Sequence, residues 1–77
     1  MCRVIYSMKY LVVFEETKTG YSAFSPDLPG CIATGTTREN AKDNMKEAIV
    51  FHVEGMTLEG LEIPKPHTFS TYLDVPA

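Results

Sequence analysis

Apolar and polar positions alternate along the first part of the chain and then change period. In YLVVFEE (10–16), Tyr10, Val12 and Phe14 fall on one face, and Leu11 and Val13 on the other. Both faces are apolar, which suits a central strand rather than an edge. TKTG (17–20) is a turn signal, YSAFS (21–25) reads as the return strand, and CIATG (31–35) as a third, short strand. From Ala41 the apolar residues recur at helical spacing: Ala41, Met45, Ala48, Ile49, Val53 and Met56, with His52 inside the stripe. Thr36 followed three residues later by Glu39 reads as a capping box. Gly55 and Gly60 supply stop signals, and IPKP (63–66) forbids continuation. Finally TFSTYLDV (68–75) alternates Phe69, Thr71, Leu73 and Val75 against Ser70, Tyr72 and Asp74, as a strand with one wet face would.

The expected elements are strands near 8–16, 20–25, 31–35 and 68–75 and a helix near 37–56. Their order, β-β-β-α-β, is an α+β arrangement: a single-layer antiparallel sheet with one helix. The 77 residues make one domain, 1–77, with a core over 8–75 and a loose lead-in over 1–7.

One helix covers one sheet face, yet strand 10–16 is apolar on both. Val50 and Phe51 also fall off the main stripe, among Asn40, Asn44, Glu47 and Glu54. A chain this short buries only ~60% of its unfolded surface and usually needs external support. Cys2 and Cys31 make no disulfide framework, and His52 and His67 have no metal-ligand spacing with them. Self-association to a dimer or tetramer is the expected support. No cofactor is implied. The opening MCRVIYSMKYLVVF is interrupted by Lys9 and lacks a cleavage site, and nothing approaches the ~20 apolar residues of a membrane span. A cytoplasmic protein with reduced thiols is expected.

The formal net charge is −3, with ten acidic against seven basic side chains. The basic residues are scattered, and Lys42 and Lys46 are interleaved with Asp43 and Glu47. Nucleic-acid binding draws most of its affinity from phosphate neutralisation, so direct binding to DNA or RNA is disfavoured and a basic protein partner fits better.

SPDLPGC (25–31) holds the candidate chemistry. Cys31 could act as a nucleophile only with a base in reach, and His52 is the one candidate. Against this stands a buried strand cysteine behaving as a small hydrophobe. Asp27 could be a metal ligand or general acid, but it lacks the convergent carboxylates that metal-dependent phosphoryl chemistry uses. The plainer reading is an aspartate bonded to its own turn backbone. Pro29 and Gly30 have the composition of a type II turn, so the segment is a rigid corner.

Three motifs carry a resemblance: Pro26-Asp27-Leu28-Pro29-Gly30-Cys31, Thr37-Arg38-Glu39-Asn40-Ala41, and Ile63-Pro64-Lys65-Pro66. At this spacing, over residues 8–75, the chain resembles the HicB-type antitoxin family. The resemblance implies a truncated, inactive ribonuclease H-like fold. It also implies binding to a HicA-type toxin, a small ribonuclease with a double-stranded-RNA-binding-like fold. Many members carry a C-terminal DNA-binding domain. This sequence ends at Ala77, so the resemblance is to a short form without one.

Such a toxin must attract RNA phosphates, so an acidic, rigid partner suits its active face. The expected partner-binding residues are Asp27, Glu39, Asp43, Glu47, Glu54 and Asp74 for charge, with Leu28 and Phe51 as apolar anchors. Leu28 and Phe51 could instead be core or oligomer contacts. A solitary oligomeric scaffold with another partner, or a nuclease-like enzyme, are the alternatives.

Overall fold

The computed structural model describes residues 8–77; the lead-in expected over residues 1–7 lies outside them. Strands β1 (Val13–Glu16), β2 (Tyr21–Phe24) and β3 (Ile32–Gly35) form an antiparallel sheet in the order β1-β2-β3, and helix α1 (Arg38–Leu58) packs over β2 and β3. The Thr17 amide donates to the Gly20 carbonyl at 2.8 Å and closes the first hairpin.

β1 is shorter than the alternation predicts. Its register with β2 runs from Glu16 opposite Tyr21 to Val13 opposite Phe24. Beyond Phe24 the chain turns at Ser25 and Pro26, which leaves residues 8–12 no strand to pair with. Tyr10 and Val12 still pack on the core, as their shared face requires.

Cross-strand neighbours Phe14, Ala23 and Ala33 line the sheet face under the helix. Small residues at two of these positions let the helix approach closely, and Leu28, Met45, Cys31 and Ala23 fill the centre. Leu28 and Met45 are the largest fully buried side chains, each worth about 1.5–3 kcal/mol of burial. The opposite sheet face carries the row Val13, Phe24, Ile32. Ile32 is 67% exposed, so this row is the second apolar face that the sequence predicts.

SPDLPGC is a pair of successive turns. The Leu28 amide donates to the Ser25 carbonyl and the Cys31 amide to the Leu28 carbonyl, both at 3.1 Å. Gly30 has φ 82°, the value a type II turn demands after proline and one that side chains resist. The corner swings Leu28 into the core.

The helix starts one residue later than the Thr36–Glu39 pattern suggests. Thr37 is the N-cap: its Oγ1 accepts from the Asn40 amide at 3.0 Å, while Asn40 Oδ1 accepts from the Thr36 amide at 3.0 Å. Asn40 therefore closes the box, and Glu39 sits in the first turn, where a negative charge complements the helix dipole. Thr37→Ala is expected to cost ~1 kcal/mol in urea unfolding. Thr36→Ala, which keeps the amide, should change stability by less than ~0.5 kcal/mol.

At its far end the helix passes through Gly55 to Leu58, since one interior glycine costs only ~1 kcal/mol. Glu59 is the C-cap. The Gly60 amide donates to Thr57 at 3.1 Å and the Leu61 amide to Met56 at 2.9 Å, a Schellman closure with Gly60 at φ 72°.

The fourth strand expected over 68–75 is not formed. These residues carry no ladder pairing, and from Phe69 onward all are exposed. Alternation supplies the side chains of a strand, but a strand also needs ladder bonds for its backbone groups, and this segment makes none with β1, whose outer edge stays open. The observed order is therefore β-β-β-α followed by an extended tail. Among the described residues no helix is long and apolar enough to cross a membrane.

Candidate functional site

Asp27 does not bond its own turn. Its side chain is fully buried and holds the chain some forty residues away. Oδ2 accepts from the His67 amide at 3.0 Å and the Thr68 amide at 3.1 Å, and Oδ1 accepts from the Thr68 hydroxyl at 2.5 Å. His67 Nδ1 stands 3.0 Å from Oδ1. The Thr68 hydroxyl, then the two backbone donors and the His67 ring, hold the carboxyl below its ordinary range against the opposing effect of burial. Alongside, the Tyr10 hydroxyl donates to the Pro64 carbonyl at 2.5 Å. Burial, then the Asp27 charge, push the Tyr10 phenol up, which keeps it a donor. The two clasps tie residues 64–68 to the body. Asp27 is thereby removed from the expected partner surface. So is Leu28, at 0% exposure a core residue rather than an anchor.

Cys31 is buried, and burial pushes its thiol up. A nucleophilic cysteine needs the opposite shift. It lines a shallow apolar groove together with His52, Ile32, Phe51, Met56 and Leu61. Among the described residues no group of three His, Cys, Asp or Glu side chains converges to hold a metal ion.

The helical candidates form one row. Glu39, Asp43, Glu47 and Phe51 follow one another four residues apart along α1, with Glu54 beside them. The row winds from the flank over Tyr10 and Val12, where Glu39 and Asp43 lie, to the groove beside Cys31 and Ile32 that Phe51 lines. Phe51 is 80% exposed, and Val50 and Leu58 flank it with large exposed surfaces. The arrangement is a crest of four carboxylates around an apolar cluster at its C-terminal half. Lys42 and Lys46 lie beside Glu39, Asp43 and Val50 on the flank facing Tyr10 and Val12. Asp74 sits apart on the exposed tail. Leu58 escapes sequence reasoning because the helix is expected to end near residue 56. A helix carried two residues further brings it beside Phe51 and Glu54.

Comparison with known proteins places this geometry. The family model described as HicB_like antitoxin of bacterial toxin-antitoxin system matches residues 10–77. A 14.9 kDa protein in the rep-hol intergenic region of Haemophilus phage HP1 is 41% identical over 69 residues, covering 90% of this chain and 52% of that protein. Antitoxin HicB 2 of Photorhabdus laumondii is 35% identical over 72 residues, covering 92% of this chain and 52% of that protein. The chain thus spans about half the length of these two relatives. A chain of the solved HicA3 and HicB3 toxin-antitoxin complex superposes with a TM-score of 0.68 at 30% identity, over 78% of this chain and 70% of that one. An antitoxin family, rather than an enzyme family, accords with a protonated Cys31 and an Asp27 engaged in holding the chain together. With the family model matched from Tyr10 to Ala77, this chain belongs to the HicB-like antitoxins of bacterial toxin-antitoxin systems.

Proposed function

We propose that the chain is an antitoxin module that neutralises a HicA-type toxin ribonuclease by masking its RNA-binding face with the crest of α1. The observation that carries this reading is the placement of Glu39, Asp43 and Glu47 in one row along α1, with Glu54 beside it, around the exposed Val50, Phe51 and Leu58. A ribonuclease face that attracts phosphates is positively charged, and a facing row of carboxylates speeds encounter and sets register. Charge at a wet surface gives a weak, salt-sensitive complex, so the affinity rests on the aromatic anchor. In the same reading residues 1–77 are one HicB-like domain in the cytoplasm. Its sheet and helix descend from a truncated ribonuclease H-like fold that has lost its chemistry. The acidic crest does not bind nucleic acid itself, and the uncovered row Val13, Phe24, Ile32 is used in self-association.

The test is co-purification with a HicA-type toxin and inhibition of its RNA cleavage. Phe51→Ala should weaken the complex by at least ~30-fold, the range of an interface hot spot. Glu47→Lys with Glu54→Lys should slow association and flatten its salt dependence. Unchanged affinity in both variants would refute this surface. Absence of any complex with the wild-type chain would refute the function.

A further inference from the structure

We propose that residues 69–75 form a β-strand on the β1 edge of a second copy, each copy donating its tail to the other. This deepens the self-association given above and rests on it.

The tail has the side-chain pattern of a strand without the partner. Phe69, Tyr72, Leu73 and Val75 are 76–100% exposed, an apolar load that a free segment does not leave in water without cost. The place where it leaves the body is fixed, because the Tyr10–Pro64 and Asp27–Thr68 bonds hold residues 64–68. Residues 68–70 share a shallow depression with residues 9–11, which lead into β1. A two-fold axis beside that point lays each tail along the other copy's β1, and both exchanges close together.

The choice of edge follows from what each strand already bonds. On β3 the Thr34 carbonyl accepts from Asn44 Nδ2 at 2.8 Å, so the helix engages part of that strand. β1 has β2 on one side and no described strand on the other. Its unpaired backbone groups are the complement of the tail's, and edge pairing satisfies both sets.

Area and charge favour a second copy as the occupant. The face with Phe69, Leu73 and Val75 brings one aromatic ring per tail, able to bury ~150–250 Å². Leu73 and Val75 on each, with the β1 surface they cover, add to it toward the ~1,000 Å² that a specific interface needs. From Phe69 to Val75 the only charge is Asp74, which gives a phosphate backbone nothing to bind. Lys9 and Lys18 flank the receiving strand and oppose that charge in sign.

The experiment is sedimentation of the full chain over a dilution series, with amide hydrogen exchange on the same samples. The expected result is a dimer in which alternate amides across 69–75 are protected. Adjacent strand residues point their N–H groups to opposite sides, so one of Tyr72→Pro and Leu73→Pro must remove a bond to the partner. That variant should raise the dimer dissociation constant by ~100-fold, with the helical circular dichroism unchanged because both positions lie outside α1. A dimer that survives both substitutions, or whose tail amides stay unprotected, overturns strand exchange while self-association stands. A wild-type chain that is monomeric throughout overturns both.

Discussion

Gly35→Ala should lose ~3 kcal/mol or more in urea unfolding, at or above the upper end of the usual cost of overpacking. Gly35 ends β3, and a Cβ there would stand 2.4 Å from the Ala41 nitrogen and 2.6 Å from its Cα. Both are backbone atoms in the first turns of α1, and Ala41 is itself fully buried. A clash with the tip of a side chain is relieved by a rotamer change. This one is relieved only by lifting the helix off the sheet. A domain of this size holds roughly 4–10 kcal/mol in total, so the substitution removes a large share of it. Gly55 provides the contrast. A Cβ there would meet nothing within 4 Å beyond its own helical turn, and it sits within the helix. Gly55→Ala should therefore stabilise by ~0.5–1 kcal/mol. Equal melting temperatures for the two variants would show that helix and sheet are not in the contact described.

Asp27→Ala should free the tail while leaving the sheet and helix folded. The substitution removes both carboxylate oxygens, so the His67 and Thr68 amides and the Thr68 hydroxyl all lose their acceptor. The readout is hydrogen exchange at the His67 and Thr68 amides, protected in the wild type and expected to exchange like a free peptide in the variant, with α1 unaffected. The pH dependence has a fixed sign. The folded-state carboxyl is held below its ordinary value, so below the unfolded value of ~3.9 the unfolded chain binds more protons than the folded one. The stabilisation is present above about pH 4 and is lost as pH falls through the lower folded value. Wild-type protection should follow that course. Asp27→Ala should show low protection at neutral pH and no acid step. Full protection in the variant at pH 7 would mean that the tail is held by something other than this carboxylate.

The parts of the structure legible in the sequence are those set by neighbours in the chain. The hairpin follows from alternation and TKTG, the corner from Pro29 and Gly30, and the buried stripe from Ala41 and Met45. Four-residue spacing places Glu39, Asp43, Glu47 and Phe51 in one row along α1 before any coordinates are known. What stayed hidden depends on contacts that no local pattern marks. Thr68 gives no sign that it will bond Asp27, and Gly35 none that Ala41 will press against it. The cap is a finer case. Thr36 and Thr37 both precede a helix with a polar residue three positions on, and only geometry chooses the Thr37–Asn40 pair. Alternation over 68–75 predicts a strand that is not formed, because a side-chain pattern does not fix which edge the backbone pairs with.

The Asp27 clasp also sets an order of events along the folding path. Hairpin and helix contacts lie close in sequence, whereas His67 and Thr68 reach Asp27 across 40 and 41 residues. Closing a loop of that length through a flexible chain has an entropic cost that grows with its logarithm, and contacts of high separation are made late. Once β1, β2, β3 and α1 have assembled, most of that loop is already rigid and the residual search is short. The body therefore collapses first and the tail is laid on it afterwards. Bonds made after the rate-limiting step act on how slowly the native state comes apart, not on how quickly it is reached. The buried carboxylate in the proline corner is thus a brake on unfolding.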